Sequence, residues 1–167
     1  MPIEWRDKMS VSDPGIDQDH KTLIQLINIY EATINSGCCR EVKTVFDRLV
    51  DFAYSHFERE EQIQMRVGYP YKDDHASIHH ELVVGITMFT TNLCPYKKTI
   101  CPADCREKVR TISKESVNEF FHHWFVDHVI KEDLKMKPFI ESARALRIYS
   151  PSIEAYWKPV VIKHCYK

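Results

Sequence analysis

Apolar positions recur every three or four residues in four stretches of this chain, and polar breaks or proline and glycine separate the stretches. From Asp17, the positions His20, Leu23, Ile24, Ile27, Glu31 and Ile34 share one side of a helix with 3.6 residues per turn, and Asn35-Ser36-Gly37 stops it. A second stripe runs through Val42, Val45, Phe46, Leu49, Phe52, Ala53, His56, Glu60, Ile63 and Val67 and ends at Gly68-Tyr69-Pro70. The third is His75, His79, Leu82, Ile86, Phe89 and Leu93, closed by Pro95. The fourth is Val109, Ile112, Ser116, Val117, Phe121, Trp124 and His128, with the helix expected to run at least to Asp133. Pro138 breaks it and leaves residues 139–148 as a further short helix.

Residues 1–16 read as an irregular arm that ends in the turn Asp13-Pro14-Gly15, and residues 150–167 read as an extension. No strand-like alternation competes with the four stripes. The connections between the first three helices are short, which makes neighbours antiparallel. The expected fold is all-α: an up-and-down antiparallel four-helix bundle over residues 1–145, with an N-terminal arm and a C-terminal extension at 146–167.

A length of 167 residues suits one domain with its own core. The 23 basic and 24 acidic residues nearly cancel, so no nucleic-acid footprint or polybasic membrane anchor is expected. The longest apolar stretch, Leu82 to Phe89, falls far short of the roughly 20 residues of a membrane span. The opening Met1-Pro2-Ile3-Glu4-Trp5-Arg6 lacks the basic start and apolar run of a secretory signal, which points to the cytoplasm. Free thiols are then the default for Cys38, Cys39, Cys94, Cys101, Cys105 and Cys165. A zinc knuckle or an oxidative disulfide in the loop 94–105 are the alternatives.

Histidines and carboxylates sit inside the apolar stripes, where burial costs several kcal/mol for a charged group unless something compensates. A metal is the usual compensation. His56 and Glu60 lie one turn apart on the second helix, as do His75 and His79 on the third, while His20 and His128 occupy the first and fourth stripes. In an antiparallel bundle these positions gather at one end. Five imidazoles with carboxylates exceed what one zinc or one octahedral ion can use, so two metals bridged by carboxylates fit better. Nitrogen-rich ligation suits iron, and a three-and-two division of the histidines leaves one metal with an open position. His80, His122, His123 and His164 read as structural or surface groups. A ferritin-like di-iron enzyme would want two Glu-x-x-His motifs, and Glu119 to His122 is a single one that points away from the stripe.

The segment His56-Phe57-Glu58-Arg59-Glu60-Glu61, Met65 with Tyr69-Pro70, then His75 and His79, and Trp124 with His128 and Asp133, resemble the hemerythrins, specifically the bacterial-type hemerythrin-like domains. Ile16-Asp17-Gln18-Asp19-His20 with Leu23 and Asn28 is similar to the family's first helix. The resemblance covers about residues 3–141. It implies two iron ions, with His75, His79 and His128 on one, His20 and His56 on the other, and Glu60 and Asp133 bridging both. It also implies dioxygen binding at the two-histidine iron. The chain departs from the family in its longer, cysteine-bearing loop, in its tail, and at Phe125, where the family commonly has leucine.

His128 and Asp133 are five residues apart, about 140° around a regular helix. Either the bridging position lies between helices or the fourth helix is widened near Ile130 by a π-bulge, with Glu132 as the rival ligand. Helical spacing places Ile24 and Phe125 beside the ligands as an apolar dioxygen pocket. The function expected is reversible dioxygen binding for carriage, storage or delivery, without enzymatic turnover. The rivals are an oxygen or redox sensor that signals to a protein partner through the extension, and an enzyme acting on peroxide, nitric oxide or ferrous iron.

Overall fold

The computed structural model describes residues 2–36, 39–93 and 119–151. Within them the structure is helical and contains no strand. Helix α1 spans Pro14–Ser36, α2 Cys39–Val67 and α3 Lys72–Leu93. The fourth helical segment is a π-helix at His122–Asp127 that passes into α4, His128–Lys131; a 3-10 turn, Asp133–Met136, then leads into α5, Lys137–Ala145. None of the described helices is long and apolar enough to cross a membrane. Cys38, Cys94, Cys101, Cys105 and Cys165, the loop 94–105, the stripe residues Val109, Ile112, Ser116 and Val117, and His164 lie outside the described residues.

The start of α1 is set by Asp13, whose Oδ1 accepts from the backbone N–H groups of Gly15 and Ile16 at 2.9 and 3.0 Å. Pro14 supplies the fixed φ and missing donor that a first helical position tolerates. The second stop is Gly68, at φ 69°, where Tyr69 N–H bonds back to Gln64 C=O at 2.9 Å and Gly68 N–H to Met65 C=O at 3.4 Å. That pair of bonds satisfies the last carbonyls of α2 and needs a left-handed residue, which glycine adopts without strain.

Most stripe residues whose side chains are described are buried or partly so: Leu23, Ile24, Ile27, Ile34, Val42, Phe46, Leu49 and Ile86 line one core with Tyr30, Phe57, Phe121, Trp124, Phe125 and Val129. Full burial of such side chains is worth about 1.5–3 kcal/mol each. α1 packs against α2, and α2 against α3 and α5. The arm is fastened by Asn28, which accepts from Ile3 N–H and donates to Ile3 C=O, both at 2.9 Å. A second, smaller core of Val11, Ile16, Ile63, Tyr69, Met136 and Ile140 closes the end of the molecule that carries the turn between α2 and α3. Tyr149, within the stretch assigned to the extension, is buried in it and donates its hydroxyl to Asp13 Oδ2 at 2.6 Å.

The fourth segment differs from the expectation in two respects. Its widening lies at His122–Asp127, ahead of His128, rather than near Ile130. The α-helix also stops at Lys131 instead of reaching Asp133: Glu132, at φ −112°, caps it with an N–H bond to His128 C=O, and the chain then tightens into the 3-10 turn. Pro138 follows this turn in the first turn of α5, where the ring is accommodated.

Candidate metal centre

α1 contributes His20, α2 His56 and Glu60, α3 His75 and His79, α4 His128, and the 3-10 turn Asp133. These seven side chains form two overlapping groups, in each of which the potential ligand atoms lie within 4.8 Å of one another. One group is Glu60, His75, His79, His128 and Asp133; the other is His20, His56, Glu60 and Asp133. The two carboxylates are common to both. None of the seven is more than 6% exposed.

The imidazoles turn their Nε2 atoms inward. Glu60 Oε2 lies 3.1 Å from His79 Nε2, 3.5 Å from His75 Nε2 and 3.9 Å from His56 Nε2. Asp133 Oδ1 lies 2.9 Å from His128 Nε2 and 3.3 Å from His75 Nε2, and its Oδ2 lies 3.3 Å from His20 Nε2. These approaches lack hydrogen-bond geometry: both oxygens of Glu60 and of Asp133, and Nε2 of His20, His75, His79 and His128, have no hydrogen-bond partner. A buried polar atom left so costs about 1–3 kcal/mol. Convergence of so many around one point is explained by a cation, and imidazole nitrogen with carboxylate oxygen is a donor set that transition metals accept.

Without a metal the cluster partitions its charge. Burial opposes a charge on His75, but Asp133 and Glu60 outweigh it and lift its pKa to about 10. His20 is raised in the same way, against its burial, chiefly by Asp133. Burial prevails at His56, whose pKa is lowered. Burial and mutual repulsion push the two carboxyls up, yet the surrounding histidines hold both Glu60 and Asp133 well below the ordinary carboxylate range.

Aromatic side chains wall the cluster. The Phe57 ring stacks on His79 at a centroid distance of 4.0 Å, Phe125 meets His20 edge-on at 5.9 Å, and Tyr69 meets His75 at 6.2 Å. Ile24 is buried in the same core as Phe125. Trp124 donates its Nε1–H to Leu82 C=O at 2.8 Å, which satisfies its polar atom within the core. Tyr69, desolvated and facing Glu132, Asp133 and Glu60, has its phenol pushed up to about 12.

Of the two rival carboxylates at the end of the fourth segment, Asp133 is fully buried in the cluster, whereas Glu132 accepts from Lys135 Nζ at 2.8 Å. His80, His122 and His123 are exposed and lie outside both groups, as does Glu119. Two neighbours of the cluster had no role assigned from sequence. Glu61 Oε1 lies 2.9 Å from His79 Nδ1, and Asp19 Oδ2 lies 3.6 Å from His56 Nδ1 while accepting from Arg59 Nε at 2.7 Å. Each contact joins two helices, so no spacing within one helix signals it. Gln64, fully buried one turn beyond Glu60, donates to Met136 sulfur at 3.0 Å and was also not foreseen.

Residues 13–140 match the family model described as the hemerythrin HHE cation binding domain. Among curated relatives, a bacteriohemerythrin of Stenotrophomonas maltophilia is 28% identical over 87 residues, which is 52% of this chain and 57% of that protein. The match thus spans little more than half the length of that relative. A hemerythrin-like protein of Naegleria gruberi is 24% identical over 81% of this chain and 92% of its own length. A bacteriohemerythrin of Methylococcus capsulatus is 26% identical over 75% of this chain and 86% of its own.

Proposed function

The chain belongs to the hemerythrin HHE cation-binding family, and on that premise we propose that it is a non-haem di-iron protein that binds dioxygen reversibly, for carriage, storage or delivery, without catalytic turnover. The observation that supports this reading best is the pair of overlapping donor groups that share Glu60 and Asp133 in one buried cluster. In this reading His75, His79 and His128 would hold one iron, His20 and His56 would hold the other, and Glu60 and Asp133, common to both groups, would serve both. When bound, the two irons supply the electrons on which reversible dioxygen binding depends.

The protein's own residues supply position and dryness. The side with two histidines has fewer donors than the side with three, which leaves room for a small diatomic ligand there. Phe125 meets His20, and this reading takes it, with Ile24 buried in the same core, as the apolar wall that keeps water from that side. A dry surround strengthens every electrostatic contact within the cluster and slows entry of protons from solvent. The same reading takes the helices as an up-and-down antiparallel bundle over residues 1–145, sited in the cytoplasm, and takes the extension 146–167, apart from the buried Tyr149, as the contact for a protein partner.

Iron analysis and visible spectroscopy test the proposal together. Two irons per chain are expected, with a charge-transfer band that rises when oxygen is admitted to the reduced protein and disappears under vacuum. One iron per chain, zinc at full occupancy in native protein, or steady consumption of oxygen, peroxide or nitric oxide in place of stoichiometric binding would overturn it.

A further inference from the structure

The five inward-facing histidines differ in what stands behind them. Nδ1 of His20, His56, His75 and His128 has no hydrogen-bond partner. His79 Nδ1 faces Glu61 Oε1 at 2.9 Å, and its ring is further fixed by the parallel Phe57 ring, inclined by 13°. His56 Nδ1 has Asp19 Oδ2 at 3.6 Å, too far for a hydrogen bond, and that carboxylate is held instead by Arg59 at 2.7 Å. His79 belongs to the group with three histidines and His56 to the group with two. His79 alone among the five therefore has a carboxylate hydrogen-bonded behind its ring.

A neutral imidazole carries a single N–H. A carboxylate can only accept, so it draws that proton to the nitrogen it faces and leaves the lone pair on the opposite nitrogen. For His79 the lone pair then sits on Nε2, on the side of Glu60. We propose that Glu61 is a positioning residue that orients His79, one donor of the three-histidine group, with Nδ1–H outward and Nε2 inward. Carboxylate–imidazole pairs of this kind are worth roughly 10- to 100-fold in metal affinity. This inference rests on the two-metal reading above.

The test uses the full chain loaded with cobalt(II), with affinity read by competition against a chelator and the Nδ1–H protons read as shifted, solvent-exchangeable NMR signals. Glu61 is part-exposed, 39% by its side chain, so its replacement leaves the core intact. Glu61→Ala is expected to weaken cobalt binding by about 10- to 100-fold and to lose one slowly exchanging Nδ1–H signal. Glu61→Gln, whose amide oxygen also accepts, restores both. Glu58→Ala removes the same charge from an exposed neighbouring position and changes neither. Glu61→Ala with wild-type affinity and a full set of signals would overturn the proposal, as would Glu61→Gln binding as weakly as Glu61→Ala. Failure of the wild-type chain to take up two cobalt ions would instead overturn the two-metal reading beneath it.

Discussion

Asp133→Asn keeps the shape of a side chain while removing the charge around which three histidines close. In the metal-free protein Asp133 is fully buried, with Nε2 of His128 at 2.9 Å and Nε2 of His20 and His75 at 3.3 Å. His75, lifted to a pKa of about 10, is protonated at neutral pH and depends on Asp133 and Glu60 for compensation. Removing one member of a buried ion pair costs about 3–5 kcal/mol, because the other charge stays buried. Glu132 is the internal comparison: it pairs with the exposed Lys135, and a pair of that kind is worth about 0–1 kcal/mol. For a chain of this size each kcal/mol moves the melting temperature by roughly 2–4 °C. Asp133→Asn should therefore melt about 6–20 °C below wild type in chelator at pH 6, and Glu132→Gln within about 4 °C of it. The assay is scanning calorimetry of both variants, followed by iron analysis after reconstitution, in which Asp133→Asn loses metal and Glu132→Gln does not. Equal melting of the two variants, or iron lost from Glu132→Gln and retained by Asp133→Asn, would refute the assignment of Asp133 to the cluster.

Phe125→Asn brings a polar group to within reach of His20, so the oxygen-induced visible band should decay faster than in wild type; equal decay at equal iron content would mean that Phe125 does not guard that side. The stability of the metal-free chain should peak near about pH 6.5 in calorimetric melts across the range. The raised pKa values of His75 and His20 contribute stability that is complete below their ordinary value and is lost as pH climbs toward 10. The lowered pKa values of His56 and of the two carboxylates contribute stability that is lost as pH falls, His56 first and then Glu60 and Asp133; a maximum at pH 9 would contradict the signs. Tyr149→Phe removes the buried hydroxyl bond to Asp13, a charge-assisted bond worth about 1.5–3 kcal/mol, and urea unfolding should register that loss with iron content unchanged.

The first three helices and six of the seven clustered residues were legible in the sequence because both follow from position within one helix, whereas Asp133 came only from the family resemblance. An apolar stripe at 3.6 residues per turn marks the inward side, so His20 with Leu23 and Ile27, or His56 and Glu60 with Leu49 and Ile63, could be seen to face the core before any neighbour was known. Polar residues in that stripe announced a compensating group, because burial of charge is too costly to be left unanswered. The same phase argument set His122 and His123 outside.

Tertiary structure decided whatever depends on how one helix is rotated and staggered against the next. Regular helical geometry placed Asp133 away from His128 and suggested a bulge near Ile130; the actual solution is an early end to α4 at Lys131 and a 3-10 turn that swings Asp133 inward, with the π-helix lying upstream. Which carboxylate stands behind which histidine, Glu61 behind His79 and Asp19 behind His56, rests on contacts between α2 and α3 and between α1 and α2. Gln64 shares the buried side of α2 with Glu60, but its amide meets the sulfur of Met136, a partner 72 residues further along the chain. Periodicity states which side of a helix is buried, and it is silent on the partner, because that is set by packing between elements whose mutual rotation no local pattern encodes.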